Sequence, residues 1–479
     1  MSRPVRYVLA LALLFSRDGY AQRTHRPPVA GPSIEFPRES FTLRNGLRVV
    51  LSADFAAPLV SVAVSYHVGS TAETPGRTGL AHLFEHMMFT GSGHVAAGQF
   101  NSLTQGVGGI SNGQTFNDFT TYYETVPANY LETALWLESD RMGFLLDRLD
   151  SALFVAQREV VQNERRESTE NRPYGRAWEI GMAALYPAPS PYNWPVGGHL
   201  VDLQQTQMSD IRGFFRQNYS PRNATLVIVG DFDVGRTRAL VTRYFESLSN
   251  GAPIQRPHVA VVPLPAEQRL VFEDRVERPQ LQIRWPAAPM TSPDRAALVF
   301  LASILSEAPT SRLDQRLVTE RGVASSVSAN YNARETNGDL LVTVSPQGTH
   351  TLTELEDGVD SVIATLKREG PSAQEMARTH ATREFNFVAG LEAMLGKAGQ
   401  LVEGVVNFND PDHFRTYYAS LQAVSAADVK RVANPWLTNR RVVLSIVPKG
   451  QVEQAARPSA SRRVQVKPEG GYRFSEARP

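Results

Sequence analysis

The stretch "GLAHLFEHMMFTGS", residues 79–92, reads as a short helix bounded by glycines that carries His82, Glu85 and His86. At 3.6 residues per turn, positions four apart differ by about 40° around the axis, so His82 and His86 present both imidazoles on one side. Glu85 sits beside His86 and one turn from His82. Neutral imidazole suits zinc, and a catalytic zinc typically takes three protein ligands and leaves a fourth position for water. The spacing alone admits another reading, because two histidines and a glutamate on a helix can equally cap, pair or stay solvated. A third ligand from elsewhere in the chain has to settle it.

The segments before this helix read as strands. "FTLRNGLRVVLS" (Phe41 to Ser52) predicts a hairpin closed at Asn45-Gly46, a pair that readily takes the positive backbone angles of a tight turn. "LVSVAVSYHVGS" (Leu59 to Ser70) alternates as a strand covered by helices on one side. Helix, strand and further helices follow, so the class is α+β. A faint internal repeat divides the chain: "SDIRGFFRQNYSPRNATLVIVGDF" (Ser209 to Phe232) resembles "ADVKRVANPWLTNRRVVLSIVPKG" (Ala427 to Gly450), each a helix, a turn and a buried-type strand. The expected organisation is a first half over 35–250, a proline-rich linker over 251–269, a second half over 270–450 and a mobile tail over 451–479.

At 479 residues the chain exceeds one compact core, and 42% hydrophobic with 20% charged residues is globular usage. Lys plus Arg number 49 against 48 for Asp plus Glu, which removes any general electrostatic case for nucleic acid or an anionic membrane. With no cysteine, any metal is held by histidine and carboxylates. Arg3 and Arg6 precede the apolar run "YVLALALLF", and "GYA" ends at Ala21, the pattern of a signal peptide over 1–21. The expected location is therefore periplasmic or secreted, with no stable membrane insertion, since no later stretch reaches the roughly 18 apolar residues of a spanning helix.

The surroundings of His82 and His86, with Met87, Met88, Phe89 and Gly91 following, resemble the inverted zinc motif H-x-x-E-H of the pitrilysin or insulinase-like family, peptidase M16. The resemblance runs through "GGISNGQTFNDFTTYYETVP", "REVVQNERRESTENRPYG" and "YSPRNATLVIVGDFD", and more weakly through the second half. It implies two homologous α+β domains, each a mixed, largely antiparallel sheet with helices packed on it, together forming half of a clamshell chamber. It also implies a metalloendopeptidase of unfolded peptides with one Zn2+ per chain, held by His82, His86 and Glu164, and with Glu85 as general base toward a zinc-activated water. Among Glu159, Glu164, Glu167 and Glu170, the resemblance selects Glu164 as third ligand. Where many relatives carry a further glutamate, this chain has Gln157, which can hydrogen-bond behind the ligands but supplies no charge. His67 and His94 match no family ligand.

"GGISNGQTF" resembles the family's edge strand, which takes an extended peptide as an additional strand. Asn112, Gly113 and Thr115 are the implied contacts, with the small Gly113 letting the substrate backbone approach. In the second half, "LVTERGVAS" (Leu317 to Ser325) places Val318 and Ser325 where active relatives carry an arginine and a tyrosine that hold the substrate carbonyl. The resemblance therefore implies a heterodimer with a homologous zinc-free subunit that supplies the Arg/Tyr pair. A non-catalytic scaffold or a peptide-binding subunit of the same fold is the alternative.

Overall fold

The computed structural model describes residues 34–254, 256 and 264–475. The leader expected at 1–21 lies outside the described residues, as does the middle of the 251–269 linker. The first half builds one sheet from β1 (Glu39–Thr42), β2 (Arg48–Ala53), β3 (Leu59–Tyr66), β4 (Ile110–Thr115), β5 (Thr120–Pro127) and β6 (Ala224–Gly230). Their order across the sheet is β1-β2-β6-β3-β5-β4, and every pair is antiparallel except β2 with β6. The Asn45-Gly46 turn joins β1 to β2 as the sequence predicts, with Gly46 at φ +91°, a conformation that glycine adopts without Cβ strain.

The second half builds a sheet from β7 (Gln268–Asp274), β8 (Gln280–Ala287), β9 (Ala324–Ala333), β10 (Gly338–Pro346), β11 (Val442–Pro448), β12 (Arg462–Val466) and β13 (Tyr472–Phe474). Its order is β13-β12-β7-β11-β8-β10-β9. Apart from β13, each strand has a positional counterpart in the first sheet, with β4 and β9 as matching outer edges. The repeat seen in sequence falls at the middle of both sheets. Helix α5 (Met208–Asn218) leads into β6 and helix α8 (Ala426–Trp436) into β11, and both strands are buried along their whole length. Each lies parallel to one neighbour and antiparallel to the other.

The tail departs from expectation. Residues 451–475 carry regular structure: β12 runs parallel to β7, where the first sheet has antiparallel β1, and β13 folds back on β12. The physical reason is a vacant sheet edge. Among the described residues no strand of the second half precedes β7, and the tail covers that edge, with Val464 in the apolar core and Tyr472 and Phe474 packed against it. Short strands separated by turns leave no periodicity to read in the sequence.

The helices that carry the site are α1 (Leu80–Met87), α2 (Leu131–Arg148), α3 (Ser151–Arg165) and α4 (Ala177–Leu185). In the second half, α6 (Arg295–Leu305) packs beside β9 as α1 packs beside β4. Helix α7 (Met394–Phe408), also from the second half, lies against β3 and β6 and so joins the halves through the first sheet. Among the described residues no helix is long and apolar enough to cross a membrane.

Candidate metal centre

Helix α1 buries Leu80, Ala81, Leu83, Phe84 and Met87. Phe84 stacks on Phe214, Phe215 and Tyr219 from the α5 region, which fixes the helix against the core. His82, Glu85 and His86 occupy the remaining, half-buried face. The two imidazole Nε2 atoms lie 3.3 Å apart, as the four-residue spacing requires. Glu164, near the end of α3, brings Oε2 to 3.1 Å from His86 Nε2 and Oε1 to 3.7 Å from His82 Nε2. His82, His86 and Glu164 are the one such metal-competent group among the described residues, with donor atoms within 4.8 Å of one another. Burial, and then the neighbouring His86, shift the His82 imidazole toward its neutral form, the form that ligates a cation.

Two nitrogens and one carboxylate oxygen converging from two helices match the donor set of a catalytic zinc site. The carboxylate remains half open to solvent, with 49% of its side chain exposed, so one side of the group faces a cavity of about 400 Å³. Glu85 lines the same cavity as His82 and Glu164. Of the other acidic candidates on α3 and just beyond it, Glu159 and Glu167 are exposed and Glu170 pairs with Arg165 and Arg176. His67 pairs instead with Glu335 at 2.7 Å and His94 with Asp140, so neither joins the metal group.

Gln157 shares a second cavity, of about 500 Å³, with His86 and Asn112. No hydrogen bond links it to the three donors among the described residues. Strand β4 is the open edge of the sheet, as expected. Phe116 N–H donates to Phe119 O just beyond the hairpin, so the alternation of an antiparallel pair turns the backbone groups of Ser111, Gly113 and Thr115 toward the free edge. Asn112 is exposed, and its Oδ1 accepts the Gly113 N–H at 2.9 Å. Gly113 is also kept small by its packing against α1. A Cβ there would lie 2.8 Å from Glu85 Cγ and 3.1 Å from Phe89, so the glycine lets β4 close against α1. Thr115 lines the metal-side cavity, and its hydroxyl accepts from Thr120 Oγ1 at 3.4 Å.

Two supporting groups were not legible in the sequence. Glu73 is buried and accepts the N–H groups of Gly79 and Ala81 at 2.9 and 2.8 Å, capping the start of α1 from outside any standard capping spacing. Burial pushes its carboxyl up to about 8, against the pull of those donors. Arg165, adjacent to Glu164, is clamped by both oxygens of Glu179 at 2.8 and 3.0 Å, and Tyr472 of the tail donates to Glu179 at 2.7 Å. The only signal for the last contact was an aromatic residue in a polar tail.

In the second half, Val318 lies in a helical turn over Asp314–Glu320 and Ser325 at the start of β9 donates to Ser345 O at 3.3 Å. Neither offers a charged or phenolic donor. The Arg321 guanidinium packs near Gly358.

A family model described as insulinase, peptidase family M16, matches residues 48–178, which contain His82, Glu85, His86 and Glu164. A second, described as the peptidase M16 inactive domain, matches residues 207–382. The chain belongs to peptidase family M16. This M16 chain is 28% identical to the zinc protease PqqE of Helicobacter pylori over 405 residues, covering 83% of the chain and 90% of the relative. It is 22% identical to the uncharacterized zinc protease YmxG of Bacillus subtilis, covering 86% and 98%. Among solved structures, a protease from Helicobacter pylori superposes with TM-score 0.81 at 27% identity, over 86% of this chain and all of that one. The first half of the periplasmic protease PqqL from Escherichia coli gives TM-score 0.70 at 19% identity, covering 88% and 93%, and shows the shared fold.

Proposed function

We propose that this M16 chain is a zinc-dependent endopeptidase acting on unfolded peptides or small proteins, with one zinc per chain. The carrying observation is the convergence of His82, His86 and Glu164 beside Glu85 and the open edge of β4. Zinc held by these three residues would supply Lewis acidity toward a water molecule and the scissile carbonyl. In this reading Glu85, which lines the same cavity as His82 and Glu164, takes the proton of the attacking water and returns it to the leaving amine. The backbone groups of Ser111, Gly113 and Thr115 orient an extended peptide by adding it to the sheet, with Asn112 beside them, and Gln157 flanks His86.

Charge develops on the carbonyl oxygen as the bond is attacked, and neither Val318 nor Ser325 can stabilise it. This supports a homologous zinc-free partner that supplies an arginine and a tyrosine and closes the other half of a clamshell chamber. The leader-like N-terminus supports export to the periplasm or outside the cell, and PqqL of Escherichia coli, which shares the fold, is a periplasmic protease. The missing Arg/Tyr pair also keeps a second reading, a peptide-binding subunit without hydrolysis. Metal analysis with peptide turnover on the purified chain, with and without a homologous partner, separates them. The peptidase reading expects about one zinc per chain and turnover raised by the partner. Stoichiometric zinc with peptide binding and no turnover in either sample would support the second.

A further inference from the structure

The tail of the second half crosses to the first half behind the metal centre. Strands β12 and β13 pair Val464 with Phe474 and Val466 with Tyr472, and Gly470 N–H donates to Lys467 O at 3.0 Å to close the turn between them. Gly470 and Gly471 stand at φ +91° and +72°, and a Cβ on Gly470 would lie 2.7 Å from His199 Cβ of the first half, so the glycine pair both makes the turn and seats it. Tyr472, the next residue, donates its hydroxyl to Glu179 Oε2 at 2.7 Å. Glu179 in turn holds Nη1 and Nη2 of Arg165, beside Glu164, and both clamp residues are buried.

We propose that Tyr472 is a positioning residue for the metal ligand Glu164, acting through Glu179 and Arg165, so that the tail of the second half sets the metal affinity of the first. The inference rests on the zinc reading of the site and adds what holds its third ligand in place. Glu164 needs such support. It lies in the last turn of α3, its side chain is half exposed, and among the described residues only the two imidazoles pair with its carboxylate. Helix ends fray, and fraying here would carry the ligand oxygen away from the histidines. Arg165 follows Glu164 by about 100° around the axis, so a buried two-pronged clamp on its guanidinium fixes the rotation of that turn and with it the direction of Glu164. The clamp also borders the other ligand helix: a Cβ at Gly197 would lie 3.8 Å from Arg165 Nη1 and 4.0 Å from His82 Nδ1. Tyr472 supplies the third donor to Glu179, and without it the carboxylate is held by Arg165 alone from one side.

Metal titration of the full chain against a competing chelator tests this, with Zn2+ for affinity and Co2+ for the visible absorption bands that report ligand geometry. Tyr472→Phe deletes one hydroxyl and keeps the ring, and Glu179→Gln sets an amide N–H against the Arg165 donors. Glu179→Gln should weaken zinc binding by about 10–100-fold and Tyr472→Phe by roughly threefold to tenfold, each with altered Co2+ bands. Phe474→Leu trims the packing of the tail two residues away, and it should lower thermal stability while leaving both metal readouts as in the wild type. Wild-type affinity and bands in Tyr472→Phe, an equal metal loss in Phe474→Leu, or a wild type that binds no metal would overturn the inference. Shifted metal readouts in a chain that hydrolyses no peptide, with or without a partner, would sink the peptidase reading and leave this one standing. Peptide turnover with metal readouts unmoved by Tyr472→Phe would do the reverse.

Discussion

The two halves share one sheet order, and they differ most at matching edges. Beside β4, α1 exposes His82, Glu85 and His86 on its polar face. Beside β9, α6 reads "RAALVFLASIL", and nine of its eleven residues are buried. The same architecture thus carries a ligand helix once and a packing helix once. The difference lies in side chains, since both helices have a full apolar face and only α1 carries histidines and a carboxylate on the other.

A second contrast sits behind the edges. In the first half, Arg141 is enclosed with Glu138 and Glu124, one cation for two carboxylates, and stacks over Phe89, Phe100 and Tyr122. Burial and the facing Glu138 push the Glu124 carboxyl far above its usual range. In the second half the ratio inverts: Asp339 lies between Arg284 and Arg334, at 2.5 and 2.7 Å. Burial alone would raise Asp339, and the two guanidinium groups outweigh it and hold the carboxyl below its usual value. One interior carries excess acid and the other excess base.

The comparison breaks most visibly at the metal. His86→Ala should weaken zinc binding by more than the roughly 100-fold that loss of a supporting contact costs. Metal analysis should find about one zinc in the wild type and none attributable to the second half. The buried clusters give the next effect. Arg141→Met strands two carboxylates and should cost about 3–5 kcal/mol in denaturant unfolding, while Arg284→Met leaves Asp339 with Arg334 and should cost less. Equal losses would remove the asymmetry.

The same clusters predict opposite responses to acid. The raised Glu124 contributes stability that is complete below its unfolded value near 4.5 and is lost as pH rises through its folded value. The depressed Asp339 contributes stability that is present above 3.8 and is lost as pH falls through its folded value. Hydrogen exchange should therefore show β8 and β10 losing protection before β3 and β5 as pH drops toward 3. The smallest effect concerns Glu73. Glu73→Ala removes the cap of α1 and should cost about 1–2 kcal/mol, together with weaker zinc binding by titration. Unchanged metal affinity would show that the cap does not set the ligand helix.

Much of this was legible in the sequence because it is local or periodic. The i,i+4 histidines, the Asn45-Gly46 turn and the helix-then-strand repeat each follow from short-range geometry, and resemblance singled out Glu164, which the structure brings to the histidines. What escaped is long-range. Glu179 and Tyr472 are 293 residues apart, and nothing in the polar tail announced that Tyr472 would cross to the metal-bearing half. The close packing of Gly113 on Glu85 escaped as well, because that contact exists only once β4 folds over α1.

The central claim is that Glu85 moves a proton at a zinc centre, and Glu85→Gln tests it most directly. The amide keeps size and hydrogen bonding while removing the base, so the purified variant should retain about one zinc per chain and lose about 10²–10⁴-fold in peptide turnover. Full zinc content with unchanged turnover would contradict the account.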